Sequence, residues 1–230
     1  MNFYDEWKKC NIEEIDDSFY INSFLCRSIY SITSLENASK DKISDVISFL
    51  VSLNKQRIIS YIDKKYIKLI NPNDVIQYSN FEKSTDEITH ILRYETNGLT
   101  FEDLGYLLIS APNKLSANKY GENQAKTAKD FNLVSFSPTK PTIVKNTALG
   151  NFFPYLDNKD KTALLSILSL RNNVVLNFIA RAKLTKVYYE DIVSCLAETT
   201  KARRKSNVKH LIDLSLLDID DDDLKNNIVI

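Results

Sequence analysis

Glycine, cysteine and histidine are all scarce in this 230-residue chain, and each shortage removes a class of chemistry. The four glycines, at positions 98, 105, 121 and 150, are too dispersed to form a phosphate-binding loop or a dinucleotide fingerprint, which need clustered glycines to bring backbone against phosphate. With only five prolines they also argue against an all-β chain built on many tight turns. Cys10, Cys26 and Cys195 are odd in number and far apart, so the expectation is buried, reduced thiols in a cytoplasmic protein and not a disulfide framework. His90 and His210 stand alone, with no Cys or His at metal-ligand spacing, and read as helix-surface or capping residues. The expectation is therefore no metal and no cofactor.

Long apolar runs are missing as well. Residues 163–180 are the most apolar stretch, but Arg171, Asn172, Asn173 and Asn177 interrupt it, which predicts packed helices and no membrane span. Residues 1–17 are acidic and lack the apolar centre of a secretory signal. Paired carboxylates suited to metal-assisted phosphodiester hydrolysis are not legible either. Asp74 with Glu82 and Lys83, and Asp157 with Lys159, are fragments without the required spacing or an upstream partner. No catalytic residue is expected in this chain, and a metal-dependent nuclease centre has no home in it.

What remains is a chain of ordinary globular composition, 43% hydrophobic and 26% charged, with 30 basic and 30 acidic residues. Zero net charge hides an uneven distribution. Asp5, Glu6, Glu13, Glu14, Asp16 and Asp17 crowd the beginning and Asp218 with Asp220 to Asp223 the end, leaving a basic middle.

Three stretches repeat one another. Ser44 to Leu50 leads to Asp63 to Leu69, Glu102 to Leu108 to Asp130 to Phe136, and Glu190 to Leu196 to Asp213 to Ile219. Asp45, Asp103 and Asp191 each open an apolar segment of helical spacing, where a carboxylate suits the positive end of the helix dipole. The distance from each to Asp63, Asp130 or Asp213 fits a turn and one more helix. The apolar pairs that follow, Tyr66 and Ile67, Leu133 and Val134, Leu216 and Leu217, then begin a short strand. Internal repeats outrank local propensity in assigning a fold. The expected class is mainly α with small β-hairpins (α+β), as three tandem winged-helix or helix-turn-helix units over 1–80, 81–155 and 156–230.

In the first unit, helices are expected at about 19–34 and 42–53, with Asn54, Lys55, Gln56 and Arg57 opening a third that runs to about Lys64. Amide and guanidinium side chains at that place can read base edges, and are equally ordinary solvent-facing residues. The second unit carries the strongest signal. A helix over 85–96 ends at Asn97 and Gly98, and Thr100 with Asp103 forms a capping pair that restarts the chain. After a loop, Tyr120 to Val134 places Ala125, Ala128 and Phe131 toward a core. Lys119, Asn123, Gln124, Lys126, Thr127 and Lys129 are left to other faces, which suits a helix that must enter a groove about 12 Å wide. The segment from Ser135 to Gly150 reads as a hairpin, with Lys140 and Lys145 placed for phosphates.

The third unit opens with a helix over 158–170, kinked at Asn172 and Asn173 and continuing to Ala182. A second helix spans 188–197. Thr199 or Thr200 then caps a helix whose Val208, Leu211, Ile212 and Ser215 point one way while Lys201, Arg203, Arg204, Lys205 and Lys209 point another. That basic run is a phosphate footprint, or else a solvated face that offsets the acidic tail. A wing made of Asp218 to Ile230 would repel DNA, so this unit would bind through its helix or serve as a packing platform.

At Tyr120 to Gly150, and in the preceding Gly98 to Leu108, the pattern resembles the winged-helix recognition subdomains of FokI-like type IIS restriction endonucleases. That resemblance implies sequence-specific double-stranded DNA binding by consecutive winged helices, with the nuclease domain a separate module outside this region. It places Lys119, Asn123, Gln124, Lys126, Thr127 and Lys129 against DNA. The family's nuclease residues have no counterpart here. A protein-interaction scaffold of a chromosome-organising or defence complex, clasping a partner subunit, is the competing expectation, followed by a replication initiator or transcription regulator.

Overall fold

The computed structural model describes residues 40–52, 54–77 and 81–230. They are mainly helical, with one three-stranded antiparallel sheet and one two-stranded parallel pair. The helix expected at 19–34, and with it Cys10 and Cys26, lies outside the described residues.

The described residues form two compact units. One, called continuous below for its main segment, is Gln77–Leu165 with Lys40–Asp45; the other is discontinuous and joins Val46–Ile76 to Ser166–Ile230. Helices α1 (Lys40–Ser52) and α7 (Asn158–Ser169) run from one unit into the other. The segments read from sequence as first and third units thus share one body, as far as they are described.

The continuous unit runs α3 (Phe81–Leu92), β1 (Leu99–Thr100), α4 (Phe101–Leu108), α5 (Lys114–Asp130), β2 (Val134–Phe136), β3 (Ile143–Asn146) and α6 (Ala148–Phe152). Gly98, at φ 76°, turns the chain into β1 in a left-handed conformation that a side chain would strain. Thr100 then caps α4, its Oγ1 accepting from the Asp103 nitrogen at 3.1 Å and donating to the Asp103 carboxylate at 2.6 Å. The hairpin β2–β3 follows α5, and β3 lies between β1 and β2. Leu99 faces Val144 and Thr100 faces Ile143, while Val134, Ser135 and Phe136 face Asn146, Lys145 and Val144. Phe81 and Phe131 stack at 5.6 Å in a core completed by Ile88, Leu104, Ala125, Ala128, Leu133, Val144 and Leu149.

The discontinuous unit holds α2 (Lys55–Ser60), α8 (Asn173–Ala182), β4 (Val187–Tyr188), α9 (Tyr189–Ile192), α10 (Glu198–Ser215), α11 (Asp222–Asn226) and β5 (Ile228–Val229). The apolar run 163–180 is split at Leu170–Asn172, and the Asn172 side chain accepts from the Val174 and Val175 nitrogens to start α8. Among the described residues no single helix is long and apolar enough to cross a membrane.

Three sequence expectations are corrected here. Tyr66 lies in a 3-10 turn, Lys64–Tyr66, and Leu216 ends α10, so neither begins a strand; of the three apolar pairs only Leu133 and Val134 does. The chain end forms no hairpin, because α11 carries β5 across to pair in parallel with β4. Cys195 is exposed, not buried.

Candidate nucleic-acid interface

Helix α5 is long, with 17 residues, and extends about 25 Å at 1.5 Å per residue. Its N-terminus is fixed by Asn113, whose side chain accepts from the Ser116 nitrogen at 2.9 Å. More than half of its circumference is covered, because α4 packs on one side and α3 on another. Ala117, Gly121, Gln124, Ala125, Thr127 and Ala128 are all buried.

This overturns two of the expected base readers. Gln124 is 1% exposed and Thr127 4% exposed, with the Thr127 hydroxyl donating to the Asn123 carbonyl at 3.2 Å. Neither is available to a ligand. The physical reason is that α3 and α4 both pack on α5: the stripe expected to be solvated is one α5 presents to its neighbours.

Lys119, Asn123 and Lys126, spaced four and three residues apart, form one outer stripe of α5. Lys119 and Lys126 are exposed and Asn123 is half-buried. Lys126 pairs with Glu122 at 2.7 Å, an exposed i, i+4 contact worth only about 0.3–0.5 kcal/mol and easily exchanged for a phosphate. Lys129 sits one turn further on, with its ammonium 4.3 Å from the centre of the Phe136 ring, and Phe136 meets Phe101 edge-on at 5.3 Å. Lys129 thereby meets the hairpin at the last residue of β2.

The hairpin end is closed by Ser137, whose nitrogen donates to the Ile143 carbonyl at 2.9 Å and whose Oγ accepts from the Ile143 nitrogen at 2.8 Å. Lys140 is exposed in the connecting turn, and Lys145 is exposed on the sheet face opposite the core, paired across from Ser135. The structure therefore brings together Lys119, Asn123, Lys126 and Lys129, adds Lys140 at the hairpin end, and sets Lys145 on the sheet's outer face.

The candidates in the discontinuous unit are placed differently. Asn54 is the cap of α2, its side chain accepting from the Arg57 nitrogen at 3.2 Å. Lys55 donates to the Ser166 hydroxyl at 2.6 Å and to the Leu217 carbonyl, and burial pulls its pKa below the usual lysine value. Gln56 and Arg57 are exposed. On α10 the densest basic run of the sequence is largely spoken for. Lys201 pairs with Glu198 at 2.7 Å, Lys205 with Glu190 at 3.6 Å and Lys209 with Asp213 at 2.7 Å. Arg204 donates from Nη1 to the carbonyls of Pro72 at 2.8 Å and Val75 at 3.1 Å, which makes it a clamp on the 3-10 turn Pro72–Asp74. Arg203 is exposed and folds back on its own helix, toward the Thr199 carbonyl and the half-buried Thr200 hydroxyl. Each pair is as weak by itself as Lys126–Glu122 on α5, and each sets a carboxylate beside a lysine. The run read as a phosphate footprint is thus a mixed-charge face.

Among the described residues no three His, Cys, Asp or Glu side chains gather closely enough to hold a metal ion. Comparison with protein-family models, with curated proteins and with solved structures gives no match for this chain.

Proposed function

We propose that the continuous unit is a winged helix that binds double-stranded DNA in a sequence-specific manner, with α5 entering the major groove and the β2–β3 hairpin acting as the wing. The observation that carries this reading is the order α3–β1–α4–α5–β2–β3 closed by a sheet in which β3 pairs with both β1 and β2, together with the outer stripe Lys119, Asn123 and Lys126 on α5. Major-groove recognition calls for one exposed helix face bearing an amide at base-edge reach and cations on either side for phosphates. Asn123, flanked by Lys119 and Lys126, has that composition; Lys129 and Lys140 extend the cationic set toward and along the wing. Lys145 adds a phosphate contact from the outer strand face.

In the discontinuous unit α8–β4–α9–α10 repeats the order α3–β1–α4–α5, and we read it as a second helix-turn-helix-like element without a wing. We read it, with its mixed-charge α10, as a packing or positioning element. Together the two units would serve as the recognition part of a restriction endonuclease whose cutting domain is a separate module.

The test is a gel-shift titration of the chain with a random duplex pool, followed by selection of the bound fraction. Binding that weakens steeply with salt, with enrichment of one motif, supports the proposal. Absence of any shift at low salt overturns it. One observation favours the scaffold reading instead: Tyr106 and Leu107 on α4 and Leu115 on α5 are 45%, 57% and 76% exposed, an apolar group that a protein partner would cover. In that case the chain shows no shift with any duplex.

A further inference from the structure

At the end of α3, in the continuous unit, one arginine is held by two exposed tyrosines. Arg93 and Tyr94 continue the last turn of the helix, and the 3-10 turn Phe153–Tyr155 packs against α3. The Arg93 guanidinium carbon lies 4.7 Å from the centre of the Tyr94 ring and 4.6 Å from that of Tyr155, and its Nη2 donates to the Tyr94 hydroxyl at 2.6 Å. His90 meets the Tyr94 ring edge-on at 5.5 Å, and Phe152 meets the Tyr155 ring at 6.2 Å. Side-chain contacts therefore run without a break from His90 through Tyr94, Arg93 and Tyr155 to Phe152.

Packing does not account for this group. Tyr94 is 64% and Tyr155 60% exposed, so neither ring contributes much to the core. Phe153, fully buried, already anchors the 3-10 turn, and a cation–π contact at an exposed site stabilises little. Nor is charge pairing the reason. Among the described residues Arg93 forms no ion pair; Asp86 pairs with Lys161 at 2.8 Å and Glu87 with Lys83 at 3.4 Å, while Asp157 accepts from the Asp160 nitrogen. Glu95, exposed in the turn that follows Tyr94, offsets Arg93 in net charge without pairing with it. The group is thus marked by open ring faces and not by a surplus of cations. It holds no aliphatic side chain either, since the exposed leucines of this unit, Leu107 and Leu115, belong to α4 and α5.

We propose that Tyr94 and Tyr155, steadied by Arg93, form a stacking site for the unpaired bases of a single strand of nucleic acid. A ligand that uses both exposed rings and a guanidinium without a carboxylate must offer flat π faces and negative charge together, and a nucleobase with its phosphate does so. The bases of a duplex are already stacked on one another, so only a single strand presents such faces. A protein partner would be met by an apolar centre, which this group lacks. The inference goes beyond duplex recognition by α5, because none of these five side chains lies on α5 or on the β2–β3 hairpin.

The experiment uses fluorescence anisotropy with three labelled probes: oligothymidylate, an abasic strand of the same length and a random-sequence duplex. Each is titrated with the unaltered chain, with Tyr94→Ala/Tyr155→Ala and with Tyr94→Phe/Tyr155→Phe, after circular dichroism melts confirm that all three proteins are folded. The unaltered chain is expected to bind oligothymidylate about tenfold or more tighter than the abasic strand, which has the same phosphates and no bases to stack. The alanine variant is expected to lose that preference, and the phenylalanine variant, which keeps the ring faces, to retain it. Equal affinity of the unaltered chain for the two strands overturns the proposal without recourse to any variant. An alanine variant that keeps the preference overturns it as well. The duplex probe separates this site from the winged helix: duplex binding without single-strand binding overturns the stacking site and leaves α5 its role, and a preference for bases without duplex binding does the reverse. If no single strand is bound and sedimentation shows a dimer that only the alanine variant loses, the group is an interface between copies of this chain, and the proposal is overturned.

Discussion

Gly121 on α5 lies directly against the backbone of α4: a Cβ placed on it would collide with the Phe101 carbonyl oxygen and stand 2.8 Å from the Gly105 nitrogen. Gly105 is in the reciprocal position, facing the Ala117 carbonyl. Two glycines, one on each helix, allow the two backbones to touch, and this contact decides which side of α5 remains outside.

Gly121→Ala sets two effects against each other. Alanine is favoured over glycine within a helix by about 1 kcal/mol. Overpacking against a backbone oxygen, which cannot rotate away as a side chain can, costs about 1–3 kcal/mol or more. The second wins, and the variant is expected to be destabilised by about 1–2 kcal/mol net in denaturant unfolding. An increase in stability would show that α4 and α5 do not meet this closely.

Gln124 is buried, and neither its Oε1 nor its Nε2 is hydrogen-bonded among the described residues. A buried polar group left unsatisfied costs about 1–3 kcal/mol. Gln124→Met keeps the volume and removes that penalty, so the variant is expected to unfold at higher denaturant concentration with an unchanged slope. Its DNA affinity and motif preference should equal those of the unaltered chain. A relaxed preference at one base would return Gln124 to the role that its place in the sequence suggests.

Local chemistry was legible in the sequence, and long-range company was not. Gly98, Thr100 and Asp103 announce the stop and restart between α3 and α4, because a left-handed glycine and a side-chain cap act within a few residues. Ala125, Ala128 and Phe131 mark one buried stripe of α5 by apolar spacing alone, and all three are buried. Gln124 and Thr127 were misplaced because their polarity points outward, whereas the neighbours packed on α5 cover that side. The α10 lysines look like a nucleic-acid footprint until Glu190, distant by a turn and a helix, is found beside Lys205. The alignment of residues 59–74 along α8, fixed through Asn177 and Lys183, has no signal in the sequence at all.

Arg204 and Arg203 are neighbours in sequence with different tasks. Arg204→Ala removes a hydrogen bond to the exposed Pro72 carbonyl, which water can replace, and one to the part-buried Val75 carbonyl, so a loss of about 1 kcal/mol in stability is expected. Arg203→Ala should change stability by less than about 0.5 kcal/mol. If both substitutions instead leave stability alone and flatten the salt slope of DNA binding equally, α10 is a phosphate contact after all.

Asn123 is the one amide on the outer stripe of α5. Asn123→Ala is expected to cost about 1–3 kcal/mol of discrimination at a single base pair, with little change in the salt slope, since an amide that reads a base neutralises no phosphate. Selection of bound duplexes by the variant checks this. A uniform loss across all sequences would reassign Asn123 to backbone positioning.

Tyr189 gives the discontinuous unit a pH dependence of defined sign. Its hydroxyl donates to the Lys201 carbonyl at 2.8 Å, and burial of the phenol pushes its pKa from 10.0 up to about 12, with Arg204 acting in the opposite direction. The phenol keeps its proton in the folded state to higher pH than in the unfolded one. Its contribution is therefore fully present below pH 10.0 and is lost as the pH rises through about 12. Tyr189→Phe removes both the hydrogen bond and the titration. The variant is expected to be less stable by about 1 kcal/mol at neutral pH, and the difference from the unaltered chain should shrink across that alkaline window. Urea unfolding of the two proteins over a pH series measures the difference directly, which cancels the titration of the other tyrosines and the lysines. A gap that stays constant with pH would mean that the Tyr189 phenol is not held protonated by its surroundings.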